Sequence, residues 1–214
     1  MPDYVYRTAV GSLAAQVIIG LVTAAGFFVR VKDPDDAREL NVILGLELGS
    51  QLIEFLWYVV VVSRYSTIVT WSRYLDWFIS TPIMLASTVL FFSHRSANDF
   101  ESPFIGLYVY MVFVANWVMI LFGFLVETGR IYRPVGLCIG SIAFITSFTS
   151  LATHVDGTDG LSQGLFWFTY AVWSGYGLAA ILPYTGKNIA YNSLDIVAKN
   201  FYGVFLFVYL FTLA

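Results

Sequence analysis

The most unusual residue of the chain is a lysine inside its last apolar segment. Lys199 lies in the stretch from about Ile189 to Phe211, which is long enough to cross the hydrocarbon of a membrane. An ammonium is expensive there, because hydrocarbon cannot solvate it. Asp195 precedes the lysine by one helical turn, so the two side chains share a face. They form either an ion pair that fixes helix packing, or a protonated Schiff base of a carbonyl cofactor with Asp195 in its counterion.

A second polar group lies in the second apolar segment. Glu47, Ser50, Gln51 and Glu54 recur at helical spacing and therefore share one helix face. The two carboxyls are about 10 Å apart along the axis. Carboxyl groups facing lipid would be prohibitive, so this face meets other helices or water. It is either a protonated, hydrogen-bonded pair that fastens helices or the lining of a polar pathway. The pathway is favoured, because the stripe has no basic partner on its own helix.

A third polar stripe opens the third apolar segment. Arg73, Asp76 and Ser80 follow one another at helical spacing. Arg73 and Asp76 alone could be a structural pair. Together with Lys199 and Asp195, however, they make two positive and two negative charges, as a buried and mutually neutralised cluster requires.

Seven long apolar segments must position these residues. The chain of 214 residues is 58% hydrophobic, and its charged fraction of 12% is about half that of soluble domains. The segments run over about Thr8–Val29, Leu40–Val62, Trp71–Ser93, Pro103–Val126, Tyr132–Thr153, Leu161–Pro183 and Ile189–Leu213. Each is near the roughly 20 residues that a spanning helix needs. The sequence therefore predicts an all-α membrane protein, a seven-transmembrane-helix bundle that forms a single domain over residues 1–214.

Composition also excludes several classes of protein. Cys138 is the only cysteine, so we expect neither an intramolecular disulfide nor a thiolate metal site. The seven segments leave no soluble domain at either end, so we do not expect an enzyme. Lysines and arginines fall almost evenly on the two sides of the membrane, and charge alone does not choose an orientation.

Two stretches together resemble one family, the microbial (type 1) rhodopsins, over nearly the whole chain. They are Arg73-Tyr74-Leu75-Asp76-Trp77 with Thr81-Pro82, and Leu194-Asp195-Ile196-Val197-Ala198-Lys199. The resemblance implies all-trans retinal in the core of the bundle, bound as a Schiff base at Lys199. It makes Asp76 and Asp195 the counterions, with Arg73 neutralising them from the extracellular side.

The same resemblance implies a binding pocket and a topology. The pocket residues would be Trp77, Thr81, Met84, Met119, Gly123, Trp173, Tyr176 and Ala198. Without the resemblance, the four residues on the fourth and sixth segments would be more typical of helix packing than of a cofactor site. They are Met119, Gly123, Trp173 and Tyr176. The implied topology has an extracellular N-terminus and a cytoplasmic C-terminus in a lipid bilayer.

Other residues resemble the channel-type members of the family. Asn200 directly follows the lysine, as in channelrhodopsins, and the constriction residues of that group map onto Ser12, Glu47 and Glu54. With the small size and short loops, this set looks most like the channel-type viral rhodopsins. The expected ion pathway consists of Ser12, Glu47, Glu54, Arg73, Ser80 and Asn200.

Three functions remain open at this point. The favoured one is a light-gated cation channel along the first, second, third and seventh helices, since acidic linings select cations. The second is an outward proton pump with Asp76 as acceptor. Ser87 counts against it, because pumps of this family usually carry a proton-donating carboxylate at that position. The third is a sensory receptor that signals through a partner. Retinal, lipid and inorganic cations or protons are the expected partners; nucleic acid is not expected, and a homo-oligomer is compatible with the sequence.

Overall fold

Helices make up nearly all of the computed structural model, which describes residues 3–64, 70–96 and 104–214. Helix α1 spans Asp3–Ala25, α2 Pro34–Ser63, α3 Arg73–Arg95, α4 Leu107–Glu127, α5 Arg133–Ala152 and α6 Gly160–Ala180. Helix α7 (Tyr184–Asp195) continues through a π-helical segment, Ile196–Asn200, into α8 (Phe201–Thr212). The predicted all-α class is confirmed, and the seventh predicted segment corresponds to α7, the π-helical segment and α8 together.

Helix α2 begins earlier than the apolar segment that predicted it. It starts at Pro34, whereas the apolar run starts at Leu40. The Asp33 side chain accepts hydrogen bonds from the backbone N–H groups of Asp35 (2.8 Å) and Asp36 (3.3 Å). A capping aspartate followed by proline stabilises a helix start through local chemistry, without apolar residues.

The other boundaries lie close to the predicted ones. Helix α7 begins at Tyr184, one turn before the predicted Ile189, and α4 begins at Leu107. The predicted start of the fourth segment, Pro103, lies outside the described residues.

The helices have the length and composition of membrane spans. Six of them, counting α7 to α8 as one and searching only the described residues, are long and apolar enough to cross a bilayer. Helix α6 has a comparable 21 residues. Its glycines, tyrosines and tryptophans make it less hydrophobic, but it carries no charged residue. The protein is therefore an integral, multi-pass membrane protein.

The chain divides into two compact units, Met1–Thr70 with Ala171–Ala214, and Trp71–Tyr170. In the first, α1 packs against α2, α7 and α8, and α2 also packs against α8. In the second, α4 packs against α3 and α5. The single domain over residues 1–214 stays a prediction.

Candidate functional site

Lys199 lies in the π-helical segment and is 2% exposed. Its ammonium nitrogen is 3.5 Å from Glu54 Oε1 on α2, and Glu54 is completely buried. π-Helical turns are rare and concentrate at functional positions, because they shift the side chains that follow. The lysine therefore has an acidic partner on a neighbouring helix.

The second oxygen of Glu54 is also bound. Gln16 Nε2, on α1, donates a hydrogen bond of 2.6 Å to Glu54 Oε2. Gln16 is itself buried, one helical turn after Ser12 on the same face of α1. Three elements, α1, α2 and the π-helical segment, thus meet at one carboxylate.

Asp195 ends α7 and is held by two phenols. Tyr58 donates a hydrogen bond of 2.7 Å to Asp195 Oδ2, and Tyr176 donates one of 2.8 Å to Oδ1. Both hydroxyls act as donors, so each oxygen of the carboxyl is bound by a separate helix. Tyr58 lies one turn after Glu54 on α2 and is completely buried. The sequence argument missed it, although a buried tyrosine at that spacing extends the polar stripe of α2.

Asn192 fastens α7 to α1. Its backbone carbonyl accepts a hydrogen bond of 2.8 Å from Ser12 Oγ, and its side-chain amide donates to Thr8 Oγ1 at 2.7 Å and to the Val5 carbonyl at 3.1 Å. Ser12, predicted to line an ion pathway, therefore holds a helix contact in this conformation. Asn192 was missed because an asparagine on a helix face does not reveal its partner.

Gln51 joins the lysine segment to the second acidic residue of α2. Its Nε2 donates weakly to the Lys199 carbonyl at 3.4 Å and to Glu47 Oε1 at 3.3 Å. Glu47 Oε2, Gln51 Oε1 and the side-chain amide of Asn200 have no hydrogen-bond partner within the described part of the chain. Together with Glu54 and the residues near it, these buried groups form a series along α1, α2 and the π-helical segment. We call this series the polar column; it consists of Ser12, Gln16, Glu47, Gln51, Glu54, Lys199 and Asn200.

Other residues of the predicted site lie in the second unit. Most of its predicted residues are buried along one stretch of α3: Arg73, Asp76, Trp77, Ser80, Thr81 and Met84. Asn116 Nδ2, on α4, donates a hydrogen bond of 2.8 Å to Thr81 Oγ1. A β-carbon on Gly123 would lie 2.5 Å from Tyr74 Cε1, so this glycine lets an aromatic ring pack against α4. Met119 is half-buried on the same helix.

The predicted charge cluster is thus distributed over both units. Lys199 and Asp195 lie in one unit with Trp173, Tyr176 and Ala198, while Arg73 and Asp76 lie in the other. A single site formed from both groups stays a prediction. What the structure brings together around the lysine is Glu54, a residue that the sequence assigned to the ion pathway.

Comparison with known proteins identifies the family. A family model described as bacteriorhodopsin-like protein matches residues 8–213. The chain belongs to this family. Its rhodopsin fold is similar to that of the viral rhodopsin OLPVRII, with a TM-score of 0.86 and 22% identity over 98% of this chain and 99% of that chain.

Two further solved rhodopsins show the same fold. The blue light-absorbing proteorhodopsin from Med12 has a TM-score of 0.79 at 18% identity, covering 98% of both chains. Acetabularia rhodopsin I has a TM-score of 0.79 at 15% identity, covering 99% of this chain and 96% of that one. No curated protein matches the sequence. At these identities the structural likeness shows the fold and leaves the transported ion open.

Rhodopsins of this family bind retinal as their chromophore and are generally not enzymes. The residues around Lys199 fit such a group. A primary amine is what an aldehyde requires, and a protonated imine needs an anionic neighbour in a buried site. Glu54 at 3.5 Å supplies one acidic group, and Asp195 is held one helical turn away by two phenols.

Proposed function

We propose that this rhodopsin is a light-gated cation channel with all-trans retinal bound as a Schiff base at Lys199. The observation that carries the proposal is the polar column, in which two buried acidic residues, Glu47 and Glu54, lie on either side of Gln51 along α2. In the proposed topology the N-terminus is extracellular and the C-terminus is cytoplasmic.

The acidic residues of the column account for cation selectivity. Glu47 and Glu54 are both completely buried. Glu47 Oε2 has no hydrogen-bond partner within residues 3–64, 70–96 and 104–214, and Glu54 Oε1 lies 3.5 Å from the Lys199 ammonium. Rings and rows of carboxylates attract cations and repel anions. Unsatisfied buried oxygens also favour the entry of water or a cation that can bind them.

Within the column, Gln51 joins the backbone of Lys199 to Glu47 through two weak hydrogen bonds. When bound, retinal supplies light absorption and a change of shape at Lys199. The Lys199 carbonyl accepts its hydrogen bond from Gln51 at 3.4 Å, near the limit for such a bond. A small displacement of this backbone group would free Gln51, so the lysine segment can alter the column without moving whole helices.

A second group is proposed to complete the site. Asp76, with Arg73 one turn earlier on α3, would be the other counterion, and Trp77, Thr81, Met84, Met119, Gly123, Trp173, Tyr176 and Ala198 would enclose the retinal. These assignments rest on the family resemblance and on the burial of most of these residues.

The outward proton pump is the weaker alternative. Ser87 is completely buried on α3, where a pump would need a carboxylate that returns a proton to the Schiff base. A serine hydroxyl does not release a proton near neutral pH. The pump would therefore need a donor elsewhere, whereas the channel uses the acidic residues already in the column.

Patch-clamp recording with retinal under green light tests the proposal. A channel gives a photocurrent whose reversal potential moves with the cation gradients, and a pump gives an outward current at every voltage. Glu47→Gln and Glu54→Gln should change conductance or selectivity. Glu127→Gln, at the end of α4 in the other unit, is the matched control and should not. Unchanged currents in both test variants would remove α2 from the pathway.

A further inference from the structure

At Gln51 the polar column includes a contact between three helices. A β-carbon on Gly203 of α8 would overlap Gln51 Nε2 and Thr23 Oγ1, so these side chains from α2 and α1 touch the backbone of α8. Thr23 is completely buried, and its hydroxyl has no hydrogen-bond partner in the part of the chain that the structure describes. Thr23, Gln51 and Gly203 therefore form one polar layer of the column, and Glu47 lies one turn before Gln51 on α2.

An apolar layer follows directly. Gly26 lies one turn after Thr23, and its β-carbon would be 2.9 Å from Leu44 Cδ2 on α2 and 3.1 Å from Leu210 Cδ1 on α8. Leu44 is 1% exposed and Leu210 3% exposed. The short 3-10 segment Gly26–Phe28 that follows α1 thus meets α2 and α8 here with only leucine methyl groups between them. We call Gly26, Leu44 and Leu210 the leucine layer.

Beyond the leucine layer the chain reaches solvent. The backbone N–H of Lys32 donates a hydrogen bond of 3.1 Å to the Leu213 carbonyl, which ties the loop before α2 to the end of α8. Asp33 and Asp35 are exposed at this end of the unit. Arg30, Lys32 and Arg38 are exposed there as well, so this end of the unit carries charges of both signs.

The leucine layer separates the polar column from the solvent-exposed end of the unit. An ion that passes between them must lose its water between leucine methyl groups, which cannot replace it. Narrow hydrophobic constrictions stop conduction in this way, by excluding water. Gly26 lets the two leucines meet at this spacing, because a β-carbon there would overlap Leu44 Cδ2 and push the leucines apart.

We propose that the leucine layer is the cytoplasmic gate of the channel, closed in the conformation described here. The proposal rests on the channel function argued above. Leu44 lies one turn before Glu47 on α2, so a movement of the column at Gln51 and Glu47 is transmitted to the gate along a single helix.

Three substitutions test the gate by electrophysiology. Leu44→Ser and Leu210→Ser place a hydroxyl in the layer and should give a severalfold larger photocurrent or a leak in the dark. Gly26→Ala should also enlarge the photocurrent or the leak, because its methyl group would displace Leu44 and Leu210. Leu151→Ser, at a fully buried leucine of α5, controls for a buried hydroxyl, and Gly49→Ala, where a β-carbon meets nothing within 4 Å, controls for the added methyl group.

Visible absorbance shows first that each variant binds retinal. If the pigments form and both serine variants carry wild-type currents, the leucine layer is not the gate. If the wild-type protein carries no current that reverses with the cation gradients, the channel function itself fails, and the layer is judged by a separate measurement.

That measurement is thiol labelling, which needs no current and no retinal. Cys138 is the only cysteine, so Thr23→Cys in a Cys138→Ser background places a single thiol directly behind the layer. A small water-soluble methanethiosulfonate added from the C-terminal side should label it slowly, and severalfold faster when Leu44→Ser is added. Equal rates would show that the layer does not exclude water, and would overturn the proposal.

Discussion

The ammonium nitrogen of Lys199 lies 3.5 Å from Glu54 Oε1, and the two residues are 2% and 0% exposed. Buried opposite charges attract each other strongly, but each has also lost its hydration. The net stabilisation is therefore modest while both are present. Removal of one partner leaves the other uncompensated, which typically costs about 3–5 kcal/mol.

We accordingly expect the pair to behave as a unit in a double-mutant cycle. Lys199→Met and Glu54→Gln should each lower the thermal stability of the retinal-free protein. The double variant should lose less than the sum of the two, because neither charge is left alone. Thermal unfolding in one detergent measures all four proteins. Additive losses would mean that the two groups do not interact.

The second prediction concerns the attachment of retinal. Lys199→Ala should abolish visible absorbance after retinal is added, because the chain then lacks its buried amine. Lys187→Ala, near the start of α7, is the matched control and should keep the pigment coloured. A visible band in the Lys199 variant would refute the Schiff-base linkage.

The third prediction concerns the phenols that hold Asp195. Tyr58→Phe removes the 2.7 Å hydrogen bond to Asp195 and should lower stability by about 2 kcal/mol, as expected for a bond to a charged acceptor. Tyr132→Phe, at a tyrosine that is 73% exposed, should leave stability unchanged. Thermal unfolding compares the two variants. Equal stability of both would mean that Tyr58 contributes packing alone.

The sequence predicted the helices well, because long apolar runs and the lysine in the last of them are unambiguous. It also paired Lys199 with Asp195, since an ordinary helix places residues one turn apart on one face. That pairing stays a prediction, and the π-helical segment that holds Lys199 could not be read from residue spacing. Asp195 accepts hydrogen bonds from two tyrosines, and Glu54 lies beside the ammonium.

Contacts between distant helices were beyond the reach of sequence patterns. The leucine layer depends on how α1, α2 and α8 are rotated about their own axes, and a glycine such as Gly26 gives no sign of which side chains it admits. The start of α2 was misjudged for a different reason. An apolar window does not detect a helix start that is stabilised by a capping aspartate and a proline.

The fourth prediction concerns the buried bond between α3 and α4. Thr81→Val removes the acceptor of the 2.8 Å hydrogen bond from Asn116 and leaves a buried amide unsatisfied, at a cost of about 1–3 kcal/mol. Thr88→Val is the matched control on the same helix, because the Thr88 hydroxyl bonds only to the Met84 carbonyl one turn before it among the described contacts. Adding Asn116→Leu to Thr81→Val should recover part of the loss. Thermal unfolding of these three variants and the wild-type protein decides, and a Thr81 variant as stable as the Thr88 variant would contradict the expectation.

The last prediction concerns pH and an ion pair at the ends of α3 and α6. Arg95 donates two hydrogen bonds to Asp159, from Nε at 3.0 Å and from Nη2 at 2.8 Å. The Arg95 side chain, with help from Ser162, holds the pKa of the Asp159 carboxyl well below its ordinary value of 3.8. Because the folded pKa is lower than the unfolded one, the stabilisation is complete above the unfolded value and is lost as pH falls towards the folded one.

Arg95→Gln should therefore lower the melting temperature near neutral pH and by less in acid. The loss should correspond to about 1 kcal/mol or less, since the pair is partly exposed. Asp156 serves as the comparison. Its pKa is lowered by hydrogen bonds from the backbone and side chain of Thr158 within its own loop, so the effect of Asp156→Asn should be the same with or without Arg95. Melting curves across the acidic range measure both. If the Arg95→Gln variant has the same melting temperature as the wild-type protein at every pH, the ion pair does not contribute to stability.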